Sequence, residues 1–170
     1  MDRFTLIDSP IGQLLICSDG INLTGLYTEK QIQSKVKLLA PDNKCSVDDL
    51  PLFVQTQREL NEYFDGARTE FSLPLKPYGT EFQKQVWQEL RHIDYATTIS
   101  YGELANRLGK PAASRAVGNA NGKNPISIII PCHRVIGTNG ALTGYAGGIE
   151  CKKRLLHHEI NCSLKQLAKV

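Results

Sequence analysis

The pentapeptide Pro131-Cys132-His133-Arg134-Val135 sets a thiol beside an imidazole, directly after the apolar run Ile126-Ser127-Ile128-Ile129-Ile130. The thiolate, not the thiol, is the nucleophilic form of cysteine, and a neighbouring base is one way of producing it near neutral pH. The β-branched run fits a short buried strand, and Pro131, which lacks an N–H for a sheet ladder, marks where pairing would stop. Cys132 is therefore expected where the chain leaves the core. A core cysteine beside a surface histidine would give the same dipeptide, so the surrounding sequence has to discriminate.

The elements that would carry this segment are well punctuated. Thr80-Glu81-Phe82-Gln83 matches a capping box, and Phe82, Val86, Trp87 and Leu90 form one apolar stripe on a helix running to about His92. Ser100-Tyr101-Gly102-Glu103 opens a short helix that stops at Gly109. Pro111 then starts a helix reaching Asn121, whose Ala112, Ala113, Ser114, Ala116, Gly118 and Ala120 are all small. Two short helices joined by a glycine-containing turn suggest a helix-turn-helix, with Arg115 projecting from a face of alanines. Tight helix packing explains the small residues equally well. Beyond the pentapeptide lies the glycine-rich stretch Gly137–Gly148, then a helix from Lys152 to Glu159 with Leu155 and Leu156 inward. Upstream, Phe4–Ile7, Gln13–Cys17 and Leu23–Tyr27 read as a small antiparallel sheet, and Leu52–Phe64 as a helix.

Charge divides the chain near Gly79, where the Pro-containing stretch Ser72–Gly79 suggests a linker: residues 1–79 carry 8 basic and 11 acidic side chains, residues 80–170 carry 12 and 6. No Asp or Glu occurs between Glu103 and Glu150, whereas Arg107, Lys110, Arg115, Lys123 and Arg134 do. An acid-free basic stretch around a candidate nucleophile points to an anionic partner, nucleic acid first. Five cysteines without a C-x-x-C motif indicate neither a disulfide framework nor a zinc finger. With no apolar run of membrane-spanning length and no signal-peptide core, a soluble cytoplasmic protein is expected.

The run Asn124–Gly137, followed by Gly144-Tyr145-Ala146-Gly147-Gly148 and by Lys152-x-x-Leu155-Leu156-x-x-Glu159, closely resembles the O6-alkylguanine-DNA alkyltransferases. The resemblance covers about half the chain, from Gly79 to Glu159. It implies an α+β protein: a small N-terminal ribonuclease-H-like α/β domain over residues 1–78, and a mostly helical C-terminal domain over 79–170 with a winged helix-turn-helix that docks in the minor groove. It further implies that Cys132 accepts the alkyl group, that His133 is its base acting through a water, and that Glu159 orients the imidazole. Tyr101 would assist rotation of the base and protonate the leaving guanine. Arg115, beside Ala116 on the helix facing DNA, would enter the duplex in place of the extruded base. Asn124 would join the recognition helix to the active-site strand, and with Val135, Tyr145, Ala146, Gly147 and Lys152 would form the guanine pocket. The partner would be double-stranded DNA carrying O6-alkylguanine, bound by a monomer, with O4-alkylthymine as a second lesion and cooperative binding left open.

The chemistry matches these residue types. A saturated carbon on oxygen is attacked well by a soft deprotonated sulfur, and the departing guanine needs a proton or hydrogen-bond donor. The thioether product cannot be cleaved internally, so each molecule would act once. Ala146 stands where some relatives carry a serine that can bond the base. Cys17 and Cys45 match no zinc site, and His157, His158 and Cys162 read as surface residues; no metal and no cofactor are expected. A non-catalytic lesion-binding relative would lack the acceptor cysteine. A Cys-His-Glu hydrolase would want a separate oxyanion motif, and a sequence-specific regulator would not need the Cys-His pair.

Overall fold

A computed structural model describes residues 2–169, which divide into two compact units: 2–78 with Pro125–Ser127, and Gly79–Asn124 with 128–169. The tripeptide 125–127 thus groups with the first unit, where the charge-based division kept it in the second.

In the first unit, β1 (Arg3–Ile7), β2 (Leu14–Ser18) and β3 (Leu23–Thr28) form an antiparallel meander in the order β1-β2-β3, with Thr5 opposite Ile16 and Ile16 opposite Leu26. Every residue of β2 is buried, as a central strand covered on both faces requires. Helices α1 (Glu29–Val36) and α2 (Pro51–Phe64) follow; α2 starts on Pro51, suited to a first turn, and buries Leu52, Phe53, Thr56, Leu60 and Tyr63. The free edge of β3 is blunted by two isolated parallel bridges, Leu23 to Leu75 and Leu26 to Ile126. The stretch read as a linker therefore pairs with the sheet, Lys76 N–H donating to Leu23 O at 2.9 Å.

The second bridge also corrects the expected strand at 126–130. Leu26 N–H donates to Pro125 O and Ser127 N–H to Leu26 O, both at 2.9 Å, after which the chain turns, with Ile128 at φ +71°. Pro131 (φ −82°, ψ 62°) sits in an inverse γ-turn closed by Cys132 N–H to Ile130 O at 2.8 Å. Burial, not strand pairing, explains the apolar run: Ile126, Ile128 and Ile130 are each at most 1% exposed.

The second unit contains α3 (Glu81–Leu90), β4 (Ile99–Ser100), α4 (Tyr101–Arg107), α5 (Ser114–Gly122), β5 (Val135–Ile136) and α6 (Ile149–Leu167). The α3 capping box forms, Thr80 Oγ1 accepting from Gln83 N–H and Gln83 Oε1 from Thr80 N–H. Ser100 Oγ caps α4 by accepting from Glu103 N–H, and Gly109, at φ +68°, ends the turn after it. The segment from Pro111 begins as a 3-10 turn, Pro111–Ala113, before α5 proper. Val117 and Ala120 turn inward, where Ala120 O accepts from Trp87 Nε1 at 2.8 Å, while Ala112, Arg115, Ala116 and Asn119 face outward. Packing and outward display thus share the small residues between two faces of one helix. Strands β4 and β5 pair in parallel, Ile99 with Val135 and Ser100 with Ile136. That ladder sets Tyr101, the first residue of α4, beside the segment leaving Cys132.

Candidate active site

Cys132 opens a 3-10 turn, Cys132–Arg134, and is 4% exposed. Its Sγ accepts from Asn124 Nδ2 at 3.1 Å, and the same amide donates to Ile130 O at 2.7 Å. Asn121, one turn earlier on α5, donates from Nδ2 to Cys132 O at 3.4 Å. The end of α5 and the residues just past it therefore hold both sides of Cys132. Burial pushes the Cys132 thiol up to about 11, against the opposing pull of the Asn124 amide and the Lys152 charge. Left to itself, this sulfur stays protonated at neutral pH.

His133 is the next residue in the chain. Its ring is fully buried, with Nε2 2.7 Å from Glu159 Oε1. A carboxylate can only accept, so Nε2 carries the hydrogen; burial lowers the imidazole pKa below its ordinary 6.5 despite Glu159, and the neutral ring is left with an open lone pair on Nδ1. Nδ1 is buried and makes no hydrogen bond among the described residues. Nδ1 is thus the basic atom of the ring.

Glu159 is completely buried on α6 and is held by more than the histidine. Arg134 Nε donates to Oε2 at 3.0 Å and Nη2 to Oε1 at 3.0 Å, while Ala96 N–H donates to Oε2 at 3.1 Å. Burial alone would raise this carboxyl, but the His133 hydrogen bond and the Arg134 guanidinium hold it well below the usual carboxylate range. The remaining reach of Arg134 goes to Ile93 O, at 2.7 Å from Nη1. Arg134 had counted among the basic residues facing an anionic partner; at 6% exposure it instead clamps Glu159. The acid-free basic stretch around the pentapeptide carried no sign of this. The nearest signal was Arg134 lying two residues from Cys132, with Glu159 the second acid after the gap.

Tyr101 is half-buried, its hydroxyl donating to Thr143 O at 2.9 Å. Two glycines fence it: a Cβ on Gly118 would come 3.4 Å from the Tyr101 ring, and one on Gly144, itself at φ +66°, would come 3.0 Å from its hydroxyl. Lys152 was assigned by resemblance to the guanine pocket. Its ammonium is spent on main-chain carbonyls, Val135 O at 2.5 Å and Thr143 O at 2.8 Å, and passes 5.8 Å from the Tyr101 ring centroid. Burial lowers Lys152 to about 8, while the nearby Cys132 works to raise it. Its position is that of a clasp tying the glycine-rich loop to β5.

Val135 and Tyr145 are buried, Gly147 is half-buried and Ala146 is exposed. Arg115 and Ala116 are exposed on the first turn of α5, and among the described residues Arg115 makes no hydrogen bond or ion pair. Cys132, His133, Asn124, Arg134 and Glu159 are thus one connected cluster, Tyr101 and Lys152 meet at Thr143, and Arg115 and Ala116 stand apart on the outer face of α5. Among the described residues no three His, Cys, Asp or Glu side chains gather as a metal site, and no helix is long and apolar enough to cross a membrane.

Two family models match the chain: 6-O-methylguanine DNA methyltransferase, ribonuclease-like domain, over residues 3–77, and 6-O-methylguanine DNA methyltransferase, DNA binding domain, over residues 81–161. A methylated-DNA–protein-cysteine methyltransferase of Methanosarcina acetivorans is 46% identical, covering 94% of this chain and 99% of its own length. The crystal structure of Mycobacterium tuberculosis O6-methylguanine methyltransferase superposes with a TM-score of 0.84 at 44% identity, covering 95% of this chain and 94% of that one. The crystal structure of Mycobacterium tuberculosis OGT in complex with DNA gives 0.83 at 45% identity, with 94% of each chain covered.

Proposed function

The chain belongs to the 6-O-methylguanine DNA methyltransferase family, and on that premise we propose that it repairs O6-alkylguanine in duplex DNA by irreversible transfer of the alkyl group to Cys132, one molecule per lesion. The observation that carries this reading is the buried Asn124–Cys132 contact beside the His133–Glu159–Arg134 cluster.

Nδ1 of His133 takes the Cys132 proton through a water, and the cation so formed is stabilised by Glu159 across the Nε2–H bond. Sulfur attacks the alkyl carbon, the C–S bond forms as the carbon–O6 bond breaks, and the electron pair leaves with guanine. Tyr101, which donates to Thr143 O in this structure, turns its hydroxyl to the leaving base. A thiol only 4% exposed is out of reach of a stacked base, so the nucleotide is extruded, which costs a few kcal/mol. Arg115, on the outer face of a helix-turn-helix formed by α4 and α5, fills the vacated space, and phosphate contacts offset the rest. Asn124, Val135, Tyr145, Ala146 and Gly147 border the guanine site, which Lys152 braces by its loop contacts. Residues 79–170 act as the alkyltransferase and DNA-binding domain and residues 1–78 as the N-terminal domain, in a cytoplasmic monomer.

Intact-mass spectrometry after incubation with O6-methylguanine duplex tests this: Cys132 gains the mass of one CH2, once per molecule. DNA binding without any mass gain would instead indicate a lesion-binding protein, and turnover of an ester or peptide would indicate a hydrolase. Arg115→Ala should slow repair in duplex far more than reaction with free O6-benzylguanine. Equal slowing of both would mean that Arg115 supports the fold rather than extrusion.

A further inference from the structure

Asn121 lies in the last turn of α5 and is 1% exposed. Its Nδ2 reaches Cys132 O at 3.4 Å, and because a carbonyl oxygen only accepts, that contact fixes which end of the amide is which. The other end, Oδ1, is buried and accepts no hydrogen bond among the described residues. A buried acceptor without a donor is destabilising, so it calls for a ligand that supplies one. The neighbours of Asn121 set it beside the site. Gly118, one turn earlier on the same face, meets the Tyr101 ring, and Gly122, next in the chain, meets Gly144 O: a Cβ would come 3.4 Å from the first and 3.9 Å from the second. Asn124, three residues on, holds the Cys132 sulfur. Asn121 thus stands amid Tyr101, the glycine-rich loop and the acceptor cysteine.

The chemistry of the lesion selects a partner for this oxygen. Alkylation at O6 removes the N1 hydrogen of guanine, so N1, N3, N7 and O6 are all acceptors, and the 2-amino group is the one N–H donor left on the base of the nucleotide. We propose that Asn121 Oδ1 accepts a hydrogen bond from that 2-amino group, which makes Asn121 a specificity-determining residue for alkylated guanine over lesions without the amine, such as O6-alkylhypoxanthine and O4-alkylthymine. A base lacking the amine leaves Oδ1 buried and unpaired in the complex, which is how a site built around a substrate N–H rejects an isostere. The inference rests on the alkyl-transfer reading and adds no step to its chemistry.

The test reacts the full-length protein with free O6-benzylguanine and free O6-benzylhypoxanthine, which differ only in the amine and need no extrusion from a duplex, and reads the rate of adduct formation by intact mass. Wild type should react at least about tenfold faster with the guanine. Asn121→Leu, close in size but without either amide contact, should bring the two rates together. Loss of the Nδ2 contact to Cys132 O slows both bases alike, so the ratio reports Oδ1 alone. Asn121→Ala carries the same comparison where the leucine variant melts well below wild type. Equal rates in wild type, which need no variant, or a ratio that survives both substitutions would overturn the contact while leaving alkyl transfer standing. No adduct from either base or from O6-methylguanine duplex would overturn the alkyl-transfer reading itself, and the contact with it.

Discussion

The pH dependence of alkyl transfer separates a histidine-assisted thiol from a merely buried one. With Cys132 pushed up to about 11, a thiol without help would be ionised at pH 7 to only about one part in ten thousand, and its rate would climb roughly tenfold for each pH unit. With His133 Nδ1 accepting the proton, the rate instead follows the imidazole, whose pKa lies below 6.5. The profile should therefore be flat from about pH 7 to 9 and fall only as His133 becomes protonated on acidification. His133→Gln keeps a side chain able to donate to Glu159 but offers no comparable base. It should slow transfer at pH 7 by about 10²–10⁴-fold, the usual range for losing a general base, and restore the tenfold-per-unit climb. Single-turnover transfer from labelled O6-methylguanine duplex, measured from pH 6 to 9.5 with the chemical step shown to limit the rate, gives both curves. A wild-type profile that rises through pH 7–9 with unit slope, or a variant with an unchanged plateau, would refute the assignment of Nδ1 as the base.

The remaining predictions concern the supports of the site. Glu159→Gln leaves the buried Arg134 guanidinium without its counter-charge and should cost about 3 kcal/mol, lowering Tm by roughly 6–12 °C in a chain of this size; a melt within 1 °C of wild type would contradict the clamp. Because folding holds the Glu159 carboxyl below its ordinary 4.5, the unfolded chain takes up the proton first. Its stabilisation is complete above 4.5 and is lost as pH falls toward the folded-state pKa, so chemical denaturation should show the gap between wild type and Glu159→Gln closing on acidification. Lys152→Met strips two carbonyls of their ammonium donor and should cost about 1–3 kcal/mol, with hydrogen exchange rising around Thr143. Folding lowers Lys152 from 10.5 to about 8, so the unfolded chain holds the extra proton between those values, and wild-type stability relative to Lys152→Met should rise as pH is taken from 8 to 10.5.

Residue order by itself determined the family resemblance and most of the helices. Thr80 and Ser100 mark helix starts because a hydroxyl able to cap sits beside the residues it caps, and Gly109 marks a stop because its φ of +68° favours glycine; both are local facts. The Cys132-His133 pair is equally local, and the glycine-rich segment after it, with Glu159 on the helix beyond, made the reaction class recognisable. Tertiary structure decided what local pattern leaves degenerate. A β-branched run looks the same whether it pairs as a strand or is buried around a turn, and only the bridge of Ile126 to Leu26 and the left-handed Ile128 fixed the second outcome. A basic residue in an acid-free stretch looks the same whether it faces solvent or a buried carboxylate 25 positions away; folding turned Arg134 inward onto Glu159 and Lys152 onto two carbonyls, and left Arg115 outside. Sequence can offer candidates for the acid, the base and the nucleophile because their chemistry belongs to single side chains. Which nitrogen of His133 is free, and which amide holds the thiol, are properties of distance and burial that exist only once α5, the Cys132 turn and α6 have packed together.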